Sequence, residues 1–323
     1  MKPRYRCVTV VLGWLATSAA PAFSETYPSQ PIRIVVPTPA GGIADLLSRT
    51  LAQKLGESGK TVVVENRTGG SGVIAAETVA KSPSDGYTLY MGLHQTQAIL
   101  PHLMARLPYD PVKDFAPVIL IGTSPNILIV HPAVPVKSAQ ELVAYARANP
   151  GKVIYASPGN GSSGHIVGEQ FRQMHDIDIV HVPYRGAAPA LQDVVAGHVT
   201  MMFDIVPLTR EQLAQGRVRA LAVAAPQRLA AVPDVPTMTE VGMRELEGGP
   251  WFGLLAPAGT PRAIVDWLND ETRKAFNARD VRERLSQQGL SFPLGSPEDF
   301  TTHIAAETKR WGDVIRRANI KME

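Results

Sequence analysis

Three glycine-rich turns, each leading into a predicted helix, carry most of the chemical information in this sequence. They are Pro-Thr-Pro-Ala-Gly-Gly at 37–42, Ser-Pro-Gly-Asn-Gly-Ser-Ser-Gly at 157–164 and Tyr-Arg-Gly-Ala-Ala-Pro at 184–189. Glycine lets backbone N–H groups face outward at the positive end of a helix, where they hold a carboxylate or phosphate without Lys or Arg. The alternative at each position is a turn that simply needs flexible residues. Together the three turns predict a neutral pocket for a small anion.

The second turn also matches the dinucleotide-binding pattern G-x-G-x-x-G across 159–164. Such a site needs an acidic residue after the next strand to bind the ribose. The next predicted strand, 177–182, is followed instead by Pro-Tyr-Arg. We therefore do not favour a dinucleotide, and note that the turn offers two hydroxyl groups, Ser162 and Ser163, beside its backbone donors.

Further polar side chains stand at predicted strand ends. His94, Gln95 and Thr96 follow one strand and are placed to line a cleft, although a partly buried structural histidine is an equal alternative. Asp204 closes another apolar strand, where it receives a ligand hydroxyl or amine, or else caps the following turn. Arg185 in the third turn is a candidate clamp for a carboxylate, but we favour an ion pair with a neighbouring acid.

Patterns for catalysis and metal binding are absent from the sequence. The eight histidines form no H-E-x-x-H or other close metal-ligand spacing, and no G-x-S-x-G elbow occurs. The single cysteine, Cys7, lies in the first 24 residues, so the rest of the chain has no disulfide or thiolate. We expect no enzyme activity, no metal and no cofactor.

The first 24 residues have the pattern of a secretory signal. A basic start is followed by an apolar stretch at 7–20 and by small residues at Ala22 and Ser24, which predicts cleavage before Glu25. A transmembrane anchor is the alternative, but the stretch is shorter than the ~20 residues that a spanning helix needs. We expect the chain to be exported to the periplasm.

The overall charge of +3 belongs to that signal. Three of the 32 basic residues and no acidic residue lie in 1–24, so the remainder carries 29 of each and no net charge. A chain with neither a basic surplus nor basic clusters is not expected to bind nucleic acid.

Strands and helices alternate through the rest of the chain. Short Ile- and Val-rich runs predict strands at 32–36, 62–65, 87–93, 118–121, 127–131, 153–157, 177–182, 199–204, 218–224 and 251–256. Apolar spacing and end signals predict helices at 43–55, 139–148 and 297–317. Because most strand runs are continuously apolar, we predict an α/β fold with mainly parallel sheets.

Two segments, 126–148 and 252–276, share one design: a strand, a Pro-containing turn and a helix. Two similar crossings predict that the backbone passes twice between two domains, one of which is discontinuous. We expect domain 1 to comprise 25–124 and 248–323, and domain 2 to comprise 125–247.

Ordered matches along nearly all of the exported chain give a resemblance to a known family. The matching segments are Tyr-Pro-Ser-Gln-Pro-Ile at 27–32, Ala-Gly-Gly at 40–42 with Asp45, Val-Glu-Asn-Arg at 64–67 with Gly69 and Gly70, Ser-Asp-Gly-Tyr-Thr-Leu at 84–89, Leu-Pro-Tyr-Asp at 107–110, Ser-Pro-Gly-Asn-Gly-Ser at 157–162, His-Val-Pro-Tyr-Arg-Gly at 181–186, Asp-Val-Pro-Thr at 234–237 and Ala-Pro-Ala-Gly-Thr-Pro at 256–261. The chain resembles the periplasmic substrate-binding proteins of tripartite tricarboxylate transporters, the Bug family.

This resemblance implies a two-domain Venus-flytrap fold of the type II periplasmic binding protein kind. It implies that a small mono- or dicarboxylate is closed between the domains, held largely by backbone N–H groups and water. The expected ligand-binding residues are Thr38, Ala40, Gly41, Gly42, His94, Gln95, Thr96, Ser157, Gly161, Ser162, Ser163, Gly186, Ala187 and Asp204. The family commonly has an aromatic residue where this chain has Thr38, and a small polar residue where it has His94.

We therefore expect a monomeric solute receptor that delivers its carboxylate to membrane transporter subunits in a transient complex. Ligand binding favours the closed domain arrangement in such a receptor. One alternative is a binding protein that hands its closed state to a signalling partner. A less favoured alternative is an exported α/β enzyme that uses the 157–164 turn for a nucleotide.

Overall fold

The computed structural model describes residues 27–317, 319 and 320. The predicted export signal at 1–24, with Cys7, lies outside these described residues. Along the described part of the chain, no helix is long and apolar enough to cross a membrane.

The strands of the described residues form two five-stranded sheets. In chain order they are β1 Ile32–Val36, β2 Val62–Asn66, β3 Thr88–Leu93, β4 Phe115–Thr123, β5 Asn126–Val130, β6 Val153–Ser157, β7 Ile179–Pro183, β8 Met201–Ile205, β9 Arg219–Val223 and β10 Trp251–Pro257. The first sheet has the strand order β2-β1-β3-β10-β4, and the second has the order β7-β6-β8-β5-β9.

Helices connect the strands and pack on the sheets. They are α1 Ile43–Glu57, α2 Val73–Ala80, α3 Leu100–Leu103, α4 Ala139–Ala148, α5 Ser163–Met174, α6 Ala187–Val195, α7 Val206–Ala214, α8 Arg262–Asn277, α9 Arg279–Ser286 and α10 Pro297–Arg317. A π-helical segment, Gln95–Ile99, leads from β3 into α3, and short 3₁₀ turns lie at Gly70–Gly72 and Arg244–Leu246.

Both sheets are mixed, so the prediction of mainly parallel sheets is wrong. β1 pairs in parallel with β2 and β3, and β6 pairs in parallel with β7 and β8. In contrast, β10 is antiparallel to β3 and β4, and β5 is antiparallel to β8 and β9. The chain path shows where the difference arises: β5 and β10 are the first strands after the two crossings between the sheets, and each runs antiparallel to both of its neighbours.

Helices on both faces of each sheet explain the continuously apolar strands. β3 and β5 are buried along their whole length. The stripe predicted on the first helix places Ile43, Leu47 and Leu51 in the same buried cluster as Ile32 of β1. This packing fixes α1 against the first sheet, and so fixes the position of the turn that precedes it.

Two linkers connect the sheets and run side by side. The Ser124 N–H donates to the Pro250 carbonyl and the Asn126 N–H donates to the Gly248 carbonyl, each at 3.0 Å. A side chain at Gly249 would collide with the backbone of Ser124 and Asn126, so this close approach requires glycine. The two places where the chain crosses between the sheets therefore lie next to each other.

Candidate functional site

The turn after β1 is built around a buried carboxylate. Asp45 Oδ2 accepts a hydrogen bond from the Gly41 N–H at 3.0 Å, and its other oxygen accepts from Asn66 Nδ2 at 2.9 Å. Burial alone would raise the pKa of Asp45, but hydrogen bonds from Arg49, the Gly41 amide and Asn66 outweigh it and lower the pKa. Asp45 is therefore ionised at neutral pH and holds the turn in shape.

This arrangement changes which backbone groups of the first turn are available to a ligand. The Gly41 N–H already donates to Asp45, and the Gly42 N–H makes a long 3.4 Å bond to the Pro39 carbonyl. Ala40 is exposed at the tip of the turn, and the first amides of α1 follow it. Ala40 and the first amides of α1 are therefore the donors of this turn that we still expect to face a ligand, whereas the Gly41 N–H is already engaged by Asp45.

Thr38 lies inside the same turn. Its hydroxyl oxygen is buried, lacks a hydrogen-bond partner within the described chain, and is 3.5 Å from the point where a Gly42 Cβ would be. A buried hydroxyl without a partner costs free energy, so a polar group of a ligand or water is its natural complement.

His94 stands where β3 ends and the π-helical segment begins. The ring is buried, and neither of its nitrogens has a partner among the described residues. Burial lowers the pKa of His94 to about 3, so the ring is neutral at pH 7. A neutral imidazole offers one donor and one acceptor, which suits a second polar group of a ligand.

Gln95 and Thr96 have different surroundings. Gln95 Nε2 donates to the Asn160 carbonyl at 3.0 Å, which joins the segment after β3 to the glycine turn after β6. The Thr96 hydroxyl accepts from Tyr90 at 2.8 Å and donates to the Leu93 carbonyl at 3.2 Å. The side chain of Thr96 thus has its hydrogen bonds inside the first sheet, whereas Gln95 lies between the sheets.

The turn after β6 is held by internal hydrogen bonds. The Ser157 hydroxyl pairs with His181 Nε2 at 2.6 Å, and the Gly161 N–H donates to His165 Nδ1 at 3.0 Å. Ser162 caps α5 by accepting from the His165 N–H, and the Ser163 hydroxyl accepts from Asn126 Nδ2 at 2.6 Å. The backbone N–H groups at the first positions of α5 have no partner within the helix, so ligand contact by them stays a prediction.

The third turn leads into α6. Gly186 has φ +118° and ψ 169°, and its N–H donates to the Pro158 carbonyl at 3.1 Å. Pro189 has no N–H, so the orphan donors of this helix start are Ala187 and Ala188. Arg185 is exposed beside them.

Asp204 is buried near the end of β8. Its Oδ2 accepts a hydrogen bond from the Thr209 hydroxyl at 2.7 Å, which ties β8 to α7. Burial raises the pKa of Asp204 to about 6, partly offset by the hydrogen bonds from Thr209 and the Ile205 amide. This contact corresponds to the capping alternative, and leaves direct ligand contact by Asp204 as a prediction.

Several contacts bring the two sets of turns together. The Asn160 carbonyl accepts from Gln95 and, at 3.4 Å, from the Ser71 hydroxyl. A side chain at Gly161 would lie 3.0 Å from Leu100 and 3.4 Å from Leu103. We call the space between the turns at 37–42 and 94–97 on one side, and 157–164 and 184–189 on the other, the interdomain cleft.

Sequence reasoning missed three residues of this region. Asn160 and Ser71 take part through backbone and side-chain contacts between the sheets, which no local pattern reveals. Gln97 is fully buried, with both side-chain polar atoms unpartnered within the described chain. Its position two residues after Gln95 in His-Gln-Thr-Gln was the available signal. Among the residues that the structure describes, no group of three His, Cys, Asp or Glu is placed to hold a metal ion.

Two mixed α/β sheets joined by paired linkers, with the glycine turn before α5 bonded to the segment after β3, have the architecture of a two-domain solute-binding protein. A sequence model described as the tripartite tricarboxylate transporter family receptor matches residues 43–320, and the chain belongs to this family. The resemblance seen in the sequence motifs is thereby confirmed.

Individual relatives agree with this assignment. Protein BugT of Bordetella pertussis is 36% identical over 322 residues, covering 98% of this chain and 99% of the relative. The structure of R. palustris Rpa4515 with adipate has a TM-score of 0.87 at 38% identity, covering 91% of this chain and 99% of its own. MatC (Rpa3494) from Rhodopseudomonas palustris with bound malate has a TM-score of 0.84 at 33% identity, covering 90% and 100%. These likenesses confirm the predicted binding-protein fold.

Proposed function

We propose that the protein is a periplasmic receptor that captures a small mono- or dicarboxylate in the interdomain cleft and delivers it to a tripartite tricarboxylate transporter. In this proposal the signal at 1–24 is cleaved, and the receptor acts as a monomer that meets the transporter subunits transiently. Domain 1 comprises 25–124 and 248–323, and domain 2 comprises 125–247. Linkers at the two crossings act as the hinge.

One observation carries the proposal: the Gln95–Asn160 hydrogen bond joins the end of β3 in the first sheet to the glycine turn before α5 in the second. α1, α5 and α6 each begin at a glycine turn, and their first amides are the donors that a carboxylate needs. Arg185 is the one Lys or Arg among the three turn sequences. Backbone amides therefore supply most of the positive potential, which agrees with the absence of a basic surplus outside the signal.

The relatives support the choice of ligand. Rpa4515 is described with adipate and MatC with malate, both of which are dicarboxylates. Because a dicarboxylate has two anionic ends, one end suits the amides of α1 while the other suits those of α5 and α6. The neutral His94 ring and the Thr38 hydroxyl then meet a hydroxyl or the second carboxylate.

Mass spectrometry of the ligand released from the freshly purified protein tests this proposal. The expected result is a small carboxylic acid in near-stoichiometric amount, or, if the protein is purified without ligand, a rise in melting temperature with adipate, malate or a related acid. A protein that releases no acid and shows no rise across a broad carboxylate panel would contradict it. Adipamide, which has the length of adipate without its charge, is the matched control and should give no rise.

A further inference from the structure

Hydrogen bonds between the two sheets converge on one backbone carbonyl, that of Asn160. It accepts from Gln95 Nε2 at 3.0 Å and from the Ser71 hydroxyl at 3.4 Å. Gln95 follows β3 and Ser71 lies in the 3₁₀ turn before α2, whereas Asn160 lies in the turn after β6. Both donors therefore come from the part of the chain that builds the first sheet, and the acceptor comes from the part that builds the second.

The acceptor is held in place by the turn that contains it. The Gly159 carbonyl accepts from the Ser162 N–H at 3.1 Å, and the Gly161 N–H donates to His165 Nδ1 at 3.0 Å. These bonds lie on either side of Asn160 and stay within the second domain. The Asn160 carbonyl is therefore a fixed acceptor, and its position does not depend on the Asn160 side chain.

The donors are packed against the first glycine turn. A side chain at Gly72, next to Ser71, would lie 2.8 Å from Thr96 Cγ2 and 3.1 Å from Pro37 Cβ. Thr96 follows Gln95, and Pro37 begins the first glycine turn. Because packed interiors resist local deformation, both donors keep a fixed position relative to that turn.

We propose that Gln95 is a positioning residue, which stabilises the closed arrangement of the domains and does not itself contact the carboxylate. We call its hydrogen bond to the Asn160 carbonyl the latch. This inference rests on the proposed function, because it assigns closure of the interdomain cleft to one of the residues expected from the sequence to bind the ligand. Since its Nε2 already donates across the cleft, Gln95 acts on the ligand through the second domain.

The donor and the acceptor of the latch both belong to the protein, so the latch forms with or without ligand. Rotation about the linkers moves the two partners apart, so the bond exists only while the domains are closed. Loss of the latch therefore lowers the closed fraction, and lowers the affinity for every ligand by one common factor. Loss of a ligand contact instead changes the affinity most for the ligand that makes the contact.

Distances between two spin labels test the latch in the absence of ligand. The sequence has no cysteine after Cys7, so Val63→Cys and Val180→Cys supply the only thiols of the chain from residue 25 onward. Both side chains are exposed, and they lie on β2 and β7, the edge strands furthest from the linkers in their sheets. Rotation about the linkers therefore changes the distance between these labels, which pulsed electron paramagnetic resonance measures.

Gln95→Met keeps the length of the side chain but removes the donor. In the labelled, ligand-stripped protein, this variant should lower the ratio of closed to open distances about fivefold, as expected for one lost hydrogen bond. Asn160→Ala is the matched control, because it removes a side chain at the latch but keeps the accepting carbonyl, and it should leave the ratio unchanged. An equal fall of the ratio in both variants would overturn the latch.

Calorimetry with adipate, malate and succinate distinguishes the latch from a ligand contact. Gln95→Met should weaken binding of each acid by one common factor of at most about five. A factor that differs between the acids, or a variant that changes neither the distances nor the affinities, would overturn the proposal. If the native protein bound no carboxylate, the proposed function would be wrong, whereas the distance comparison would still decide whether the latch exists.

Discussion

The rings of His165 and His181 stack with centroids 4.3 Å apart, directly beneath the 157–164 turn. Each ring holds one position of that turn: His165 Nδ1 accepts from the Gly161 N–H, and His181 Nε2 pairs with the Ser157 hydroxyl. Tyr155 continues the stack at 4.7 Å from His181. Burial lowers the pKa of His165, and lowers that of His181 to about 3, so both rings are neutral at pH 7. The stack is therefore a rigid support for the donors at the start of α5.

Replacing His181 with phenylalanine tests this support. His181→Phe keeps an aromatic ring in the stack but removes the hydrogen bond to Ser157, so the turn becomes looser. We expect faster hydrogen exchange at 159–161 and a carboxylate Kd about five times higher, measured by calorimetry. His198→Phe is the control, since His198 is exposed after α6 and should leave both quantities unchanged. Unchanged exchange and affinity in His181→Phe would show that the stack does not support the site.

Asp204 predicts a specific pH dependence of stability. Burial raises its pKa from 3.8 to about 6, so between these values the folded protein binds a proton that the unfolded chain does not. The contribution of Asp204 to the free energy of unfolding thus increases as pH falls from 6 toward 4, and is lost as pH rises through 6. Urea unfolding of Asp204→Asn and of the native chain measures this effect. From pH 4.5 to pH 7.5, the free energy of unfolding of Asp204→Asn should rise by ~2 kcal/mol relative to that of the native chain. A difference that does not vary with pH would contradict this.

Two helix-capping serines allow an effect on carboxylate binding to be distinguished from an effect on stability. Ser162 caps α5 and Ser138 caps α4, each accepting from the N–H three residues ahead. Changing either serine to alanine should lower the free energy of unfolding by about 1 kcal/mol. We expect Ser162→Ala alone to weaken carboxylate binding, about fivefold, because its hydroxyl stands beside the free amides of α5. If Ser138→Ala weakened binding as much, the effect would arise from general destabilisation.

Two glycines with similar backbone geometry test the first turn. Gly41 has φ +85° and Gly59 has φ +79°, and a Cβ at either would meet no atom within 4 Å. Alanine is strained at both positions, so each change should cost about 1 kcal/mol of stability. Gly41→Ala should also raise the carboxylate Kd about tenfold, since strain in this turn displaces the amides of Ala40 and α1. Equal affinities for Gly41→Ala and Gly59→Ala in calorimetry would remove the first turn from the site.

Local signals predicted the individual elements well. The Ser138 capping box placed a helix at 139–148, where α4 lies, because a cap and an apolar stripe act within a few residues. Strand direction was predicted less well, since the orientation of β5 and β10 depends on which sheet precedes them. Continuous apolar runs occur in parallel and antiparallel strands alike when both faces are covered.

The location of the candidate site stays a prediction from the sequence, whereas its hydrogen bonds could not be predicted at all. The sequence correctly predicted that each of the three glycine turns leads into a helix, namely α1, α5 and α6. The occupation of the Gly41 amide by Asp45, and the contact of Gln95 with Asn160, depend on atoms that meet after folding. Gln97 was missed for the same reason. The sequence does not reveal that its side-chain amide is buried without a hydrogen-bond partner in the described chain.

Isothermal titration calorimetry with adipate, malate and adipamide tests the central claim most directly. The account predicts saturable one-to-one binding of at least one dicarboxylate, no binding of the uncharged diamide, and a weaker interaction in Ser162→Ala than in Ser138→Ala. Ligand-stripped, correctly folded protein that binds no small carboxylate, or binds the diamide as tightly as the acid, would contradict the proposal that helix-start amides hold a carboxylate between the two sheets.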